Sequence, residues 1–254
     1  MRPLDKGICP VDPKTGMEKV VAEYGNWRMD LIERIGAYCA YCNMPINHTI
    51  NVEHFVPKSP MPGHPVGDRL AWENMLLACV ACNAPDTKGN NPYNPNDYYT
   101  PIHHNTFLIF LVEIHPSEPD AAIVVPHPNL NATQAVKAKR TIDLFNWQSI
   151  DRRPKIVDLR WKKRREAIEA VNAAVGLYNA AKINHAMVAA EMVAIYAKSV
   201  GFFMLWFAAF AGEPTVMEKL LDNSIIPGTA QKCFDRNNGF CLIPRNPGNI
   251  TDSM

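Results

Sequence analysis

Four cysteines in two equal pairs set the chemistry open to this chain. Cys39 and Cys42 form one Cys-x2-Cys knuckle and Cys79 and Cys82 another, with 36 residues between the pairs. Each knuckle places two thiolates on one tight turn, and two such turns fill the corners of a tetrahedral Zn2+ site. Four buried thiols or two disulfides are the plainer alternatives, but equal spacing in both pairs favours zinc. A closed four-sulfur site leaves no open coordination position, so this zinc holds structure and performs no chemistry. The chemistry must sit beside it. Glu53 and His54 lie between the knuckles, a hard oxygen ligand next to an imidazole. On a strand, adjacent side chains point to opposite faces, so this pair needs a bend or a strand end to act together. Asn83 directly follows the last cysteine, so the zinc fixes its position. If the two segments meet, Glu53 and Asn83 suit a shared Mg2+ or Mn2+ ion, and His54 is left free as a base.

Cys39-x2-Cys42, Glu53-His54-x2-Pro57, Asn74-x-Leu76-Leu77 and Cys79-x2-Cys82-Asn83, with Lys88 following, together resemble the HNH endonucleases, the ββα-metal nucleases. The resemblance is dense over residues 39–89. It implies metal-dependent hydrolysis of phosphodiester bonds, with DNA favoured as substrate and RNA the alternative. By position, His54 matches the general base that activates water, and Glu53 the acidic metal ligand. Asn74 matches the middle Asn that braces the loop carrying the base, and Asn83 the final metal ligand. Lys88 matches a lysine near the phosphate. The segment from Asn83 to Gly89 departs from the pattern, because relatives with Cys-x2-Cys-Asn place a Lys-Gly closer behind the Asn. Pro85 within it suits only the first turn of a helix. The longer segment adds Asp86 as a candidate ligand, and the loop over 59–67 adds His64.

Outside the core, Met1-Arg2-Pro3-Leu4-Asp5-Lys6-Gly7, the run from Lys139 to Asn146, and Ile226-Pro227-Gly228-Thr229-Ala230 resemble the PtuB-type HNH proteins of Septu and retron antiphage systems. This resemblance implies an antiphage role and a partner, an ABC-type ATPase like PtuA, that gates the nuclease. A different class of function is a zinc-stapled nucleic-acid-binding module with a dead site, against which the presence of His54 weighs.

The elements that must position these residues follow from periodicity and turn chemistry. Residues 1–16, rich in Pro, Gly and charge, predict an extended arm. Val20, Val21, Tyr24, Trp27, Leu31 and Ile35 make one apolar stripe at helical steps, predicting a helix over 17–35 that Gly36 ends and that leads into the first knuckle. A strand and loop over 44–57, a second strand over 70–77 and a short helix over 82–89 would complete ββα. Strands over 107–114 and 121–125 predict a further hairpin. From Asn131 or Thr133 a helix runs to about Phe145. Arg153-Pro154 opens a longer one, with two more near 184–211 and 214–222 and a surface tail from Asn223. The fold class is α+β: a zinc-stapled ββα core, a small β-hairpin and a mainly helical C-terminal half. The expected regions are 1–36, 37–130 and 131–254.

Apolar residues make up 47% of the chain, enough for a real core. The formal charge of +1 does not by itself suggest a nucleic-acid binder, so basic surface must come from clustering. Residues 137–165 hold 11 of the 26 basic residues against Asp143, Asp151 and Asp158. Within that run, Arg152, Arg153, Lys162, Lys163 and Arg164 are candidate phosphate contacts, a solvated helix face being the bland alternative. Cys9, Cys233 and Cys241 are an odd remainder better read as reduced thiols. No apolar run follows Arg2 and Lys6, so no signal peptide is expected. The most apolar stretch, 200–212, is too short to span a bilayer and reads as a buried helix. A cytoplasmic protein with no membrane contact follows. The helical half is expected to offer the ATPase its docking surface.

Overall fold

Short elements with many polar ends need something outside themselves to hold them, and here long-range contacts do so. The computed structural model describes residues 1–152, 158–245, 252 and 254. In order these are α1 (Arg28–Ile35), β1 (Asn51–His54), β2 (Met75–Ala78), β3 (Phe110–His115), β4 (Glu118–Pro126), α2 (Ala132–Leu144), α3 (Arg160–Val200), α4 (Phe203–Ala209), α5 (Pro214–Leu220), β5 (Phe234–Asp235) and β6 (Cys241–Leu242). Among the described residues the strands pair as three antiparallel ribbons, β1 with β2, β3 with β4 and β5 with β6. This is the mixed architecture expected: small hairpins, then a helical C-terminal half. No described helix is long and apolar enough to cross a membrane.

The N-terminal helix is shorter than its stripe. A 3-10 turn over Tyr24–Trp27 leads into α1, and the residues before it are not helical. Val21 is buried while its neighbour Val20 is fully in solvent, the alternation of extended chain. Gly25 and Asn26, weak helix formers, stand where the helix would have to continue upstream. Gly36, at φ +73, ends α1 as expected, and its N–H closes onto the Ile32 carbonyl at 2.8 Å.

Residues 1–6 are not a free arm. Arg2 is buried, donating to Thr229 Oγ1 at 3.0 Å and to the Ile35 carbonyl at 2.6 Å, with its guanidinium 4.4 Å over the Phe203 ring. The Ala230 N–H meets the Pro3 carbonyl at 2.9 Å, and the Asp5 N–H meets the Gly228 carbonyl at 3.0 Å. Nor does the tail stay on the surface. Ile226, Ala230, Cys233 and Phe234 are buried, because Ile226, Cys233 and Phe234 bring apolar bulk that solvent cannot accommodate cheaply.

Residues 82–89 form successive turns instead of a helix. Pro85 has no N–H to give, and the Thr87 hydroxyl takes the carbonyls of Ala81 and Ala84, each at 3.0 Å. Helix α2 starts at its expected cap: Asn131 and Gln134 exchange side-chain and backbone hydrogen bonds in a capping box. The long helix opens at Arg160; the expected start at Arg153-Pro154 lies outside the described residues. Helix α3 breaks at His185, beside the boundary expected at 184.

Helix α4 is the apolar stretch, and the chain buries it itself. Phe203, Trp206, Phe207 and Phe210 are all inside, with Phe207 stacked near Phe107 and Phe234. The turn into α4 also reaches the first knuckle, since the Phe202 N–H donates to the Asn43 carbonyl at 3.0 Å. Gly201 is required there, because a Cβ would come within 2.5 Å of that same carbonyl. One hydrophobic core therefore runs from Leu31 through the knuckles to α4 and Phe240. A chain truncated after Lys137 should be insoluble or lack a cooperative unfolding transition, because it strips α3 and α4 from that core. Soluble, zinc-loaded protein from the truncation, judged by gel filtration and elemental analysis, would contradict this.

Candidate active site

The four cysteines converge. Their sulfurs all lie within 4.8 Å of one another and all four residues are buried. The first knuckle turns tightly, with Asn43 at φ +60 and its N–H on the Cys39 carbonyl at 2.9 Å. The second begins where β2 ends, and the Ala40 N–H ties the first knuckle to the Leu77 carbonyl of β2 at 2.8 Å. Sulfurs about 2.3 Å from a tetrahedral zinc stand about 3.8 Å apart. The Cys42 and Cys79 sulfurs are 3.8 Å apart, so the donor set and its spacing fit zinc. Arg160, the first residue of α3, donates to Cys82 Sγ at 3.0 Å and is itself gripped by Asp158 at 2.6 Å. A buried cation here offsets the negative charge of four thiolates. Nothing in the sequence marked Arg160 for this role, since the partner lies 78 positions away.

Beside the cluster, β1 and β2 pair with Glu53 opposite Leu76 and His54 opposite Met75. His54 is the last residue of β1, a strand end of the kind the pair needs to reach one site. Glu53, His54 and Asn83 all line one cleft of about 310 Å³, with Tyr24, Lys58 and Asn91. Asp86 and His64 are exposed and lie outside that cleft.

Lys88 sits elsewhere than expected. It is fully buried behind Glu53, donating to the Glu53 carboxylate and to the His54 carbonyl, with Gly89 O at 3.4 Å. It is a brace for the carboxylate, out of reach of a phosphate, because the turns of 82–89 fold its side chain inward. Burial pushes the Glu53 pKa up and the Lys88 pKa down, and their mutual attraction opposes both shifts.

The His54 ring is held on two sides. Its Nε2 lies 3.2 Å from the Arg69 carbonyl, and its edge packs on Tyr24 with centroids 4.7 Å apart. A carbonyl can only accept, so Nε2 carries the proton and Nδ1 keeps a free lone pair. Burial lowers the His54 pKa, the Arg69 carbonyl works against this, and the charges of Lys58, Lys88 and Arg69 add to the lowering. The ring is therefore neutral near pH 7.

Asn74 ties the loop after His54 to the strand that follows it. Its Oδ1 accepts from the Val56 N–H at 2.7 Å, and its Nδ2 donates to the carbonyls of Val56 at 2.9 Å and Asp68 at 2.8 Å. Gly67 makes this closeness possible, since a Cβ there would meet Val56 O at 2.0 Å and Asn74 Nδ2 at 2.6 Å. Asn83 has no side-chain hydrogen bond to another described residue, so its amide is free toward the cleft. Sequence reasoning missed Gly67, Tyr24 and Lys58. Lys58, directly after Pro57 of the motif, holds its Nζ 4.1 Å over the Tyr24 ring, and no described carboxylate pairs with it.

The basic run is not one surface. Arg164 is buried, donating to the carbonyls of Ala122 at 2.9 Å and Trp147 at 2.7 Å, so it is no phosphate contact. Exposed Arg152 is paired with Glu118 at 2.9 Å and Asp120 at 3.0 Å, and Lys163 with Glu166 at 2.7 Å. Lys162 is exposed. Arg153 lies outside the described residues. A long helix rotates successive residues around its axis, so a run of like charge is split between core and solvent.

Residues 39–89 match the family model for the HNH endonuclease. The chain is also similar to the CRISPR-associated endonuclease Cas9 of Corynebacterium diphtheriae, 32% identical over 68 residues. That stretch is 26% of this chain, and it spans 6% of the length of that relative. No solved structure matches the chain. The chain thus carries an HNH endonuclease domain, in which the four-cysteine cluster and Glu53, His54 and Asn83 of the cleft fall.

Two outcomes test this geometry. About one zinc per chain should appear by elemental analysis, and Cys39→Ser or Cys79→Ser should lose it together with soluble folding; folded wild type without zinc would overturn the assignment. Lys88→Met should cost about 3–5 kcal/mol in denaturant unfolding, because it leaves the Glu53 carboxylate buried alone. Adding Glu53→Gln should recover part of that loss.

Proposed function

We propose that the chain is a metal-dependent endonuclease that hydrolyses phosphodiester bonds, with DNA the favoured substrate and RNA the alternative. The observation that carries this reading is the His54 ring, whose Nε2 is committed to a backbone carbonyl and whose Nδ1 remains free in a cleft shared with Glu53 and Asn83. His54 accepts the proton of the attacking water at Nδ1, a task suited to a neutral imidazole. Asn74 and Gly67 hold the loop after it, and Lys88 positions Glu53.

The donor set in the cleft fits a hard cation. The Glu53 carboxylate accepts from Lys88 and from the His54 backbone N–H and keeps further lone pairs, and the Asn83 amide has no side-chain hydrogen bond to a described residue. Two protein oxygens, with water and phosphate filling the remaining positions, are what Mg2+ or Mn2+ takes. When bound, such an ion supplies charge to polarise the scissile phosphate and to stabilise the leaving oxygen. Lys58, which lines the cleft and has no described carboxylate partner, is a cation free to share the phosphate charge in place of Lys88, and exposed Lys162 adds backbone attraction.

A finer reading is an antiphage effector of the PtuB type, gated by an ABC-type ATPase. Its support is the likeness of the three flanking segments. Two of them, 1–7 and 226–230, are neighbours in space through Arg2 and Thr229. A cytoplasmic setting accords with seven cysteines none of which is joined in a disulfide.

Plasmid nicking with Mg2+ or Mn2+ tests the core of this proposal. His54→Ala should lower the rate by ~10²–10⁴-fold while divalent binding stays close to wild type. Glu53→Ala and Asn83→Ala should instead raise the metal concentration needed for half-maximal rate. Equal nicking by wild type and His54→Ala would overturn the assignment of His54 as the base, and none from either protein with the ATPase supplied would leave a binding module without catalysis.

A further inference from the structure

The middle of α3 takes no part in that chemistry, and it is apolar on both sides. Inward, Tyr178, Ala189, Ala190, Val193, Ala194 and Ala197 are buried. Outward, Leu177, Ile183, Met187, Val188, Met192 and Ile195 are each between 54% and 85% exposed. A helix that packs one side on a core should show charged and polar residues on the other. Here Val188, Met192 and Ile195 follow at steps of four and three, the spacing of a single stripe, with Met187 beside it. Ile183 and Leu177, on the other side of the break at His185, add further exposed apolar surface on the same helix.

The area is large. At about 150–200 Å² for a fully exposed side chain of this size, the six expose on the order of 700 Å², against ~800 Å² per partner in a standard stable interface. That exceeds the ~300–600 Å² of the largest patch on a typical monomer. We propose that this face of α3 binds the same face of a second copy of the chain, forming a two-fold homodimer. Such an interface must be complementary to itself, and the charges permit it. The chain's formal charge is only +1, so two copies do not repel as wholes. Of the charged residues bordering the stripe, Lys182 is neutralised by Glu213 at 2.5 Å and Glu191 by Lys219 at 3.1 Å, while exposed Lys198 has no described carboxylate partner. No unpaired Glu or Asp on this stretch awaits a basic partner of another kind. Apolar side chains of one copy therefore meet apolar side chains of the other, and the paired charges form the rim.

Sedimentation equilibrium of the full chain tests the proposal. Wild type should be a dimer at about 50 µM or below. Met187→Glu combined with Met192→Glu should raise the dimer dissociation constant at least ~100-fold. Both side chains are exposed, so circular dichroism should stay unchanged, and the unfolding midpoint should match that of wild type diluted below its dimer dissociation constant. Val66→Glu, an exposed apolar residue far along the chain, should leave the dimer intact. A wild-type monomer at that concentration would overturn the proposal. So would a dimer indifferent to the double substitution, or a monomer whose α3 face is protected only by a different protein. The readout is assembly, so its failure is distinguishable from failure of the nuclease assignment.

Discussion

Everything around the cleft depends on four sulfurs lying within 4.8 Å of one another. Strands β1 and β2 have four residues each, and a ribbon that short is marginal alone. The cluster closes it from outside. One knuckle enters before β1 and is hydrogen-bonded to β2, while the other leaves directly from the end of β2. Bound metal converts that convergence into folding free energy. It also sets the position of Asn83, one residue past the last sulfur, and so couples a site that does no chemistry to one proposed to do it. Arg160 extends the same clamp to α3, so the helical half is tied to the four-cysteine cluster by a hydrogen bond to Cys82 as well as by the shared core.

Buried cations supply the second layer of order. Lys6 donates to the carbonyls of Trp72, Glu73 and Met75, at 2.5, 3.0 and 2.7 Å, which fixes the lead-in to β2. Arg2 and Arg164 do the same for α1 and for the β4 ribbon. Taking a cation out of water is costly, and here several carbonyls per cation replace the lost hydration. The cost shows in the burial-lowered pKa of Lys6, about 7, and of Arg2, about 9. Irregular segments have few ladder hydrogen bonds of their own, and a long side chain with several donors can satisfy carbonyls that no strand reaches.

What could be read from the sequence is what is decided locally. The knuckles, the Asn131 cap, the β3–β4 hairpin and the break near 184 are each set by residues a few positions apart, and the sequence shows them. The burial of Arg2, Lys6, Lys88 and Arg164 is set by partners 17 to 227 positions away, and charge alone reads as solvent exposure. The same ambiguity misplaced the basic run. Eleven positive residues in 29 positions look like one surface, yet helical rotation turns Arg160 and Arg164 inward, and carboxylates of the β4 ribbon neutralise Arg152. At the cleft, the motif positions of Glu53, His54 and Asn83 could be read, because the knuckles bracket them. Gly67 could not, since its need arises only once Val56 and Asn74 close on it.

The inward turn of Lys88 has a chemical consequence for the two neighbours on β1. Glu53 keeps a fixed cation at one oxygen, so its carboxylate is held in place although burial favours the neutral form. No described carboxylate hydrogen-bonds the His54 ring; its orienting partner is the Arg69 carbonyl, and exposed Asp68 acts on it only through space. A carboxylate there would raise the imidazole pKa and hold a proton on the ring near neutrality. A carbonyl orients the ring with much less of that effect, while burial and three nearby cations push the pKa down. The imidazole is thus a weaker base whose basic, neutral form is favoured. Such a base suits a water whose own acidity is raised by a neighbouring cation, because the ring then need only take the proton and not force it off. By this argument the burial of Lys88 and the choice of a carbonyl for His54 belong to one design. In the proposed reading the carboxylate is kept for charge and the imidazole for proton transfer, with Lys88 bonding the Glu53 carboxylate but only the backbone carbonyl of His54.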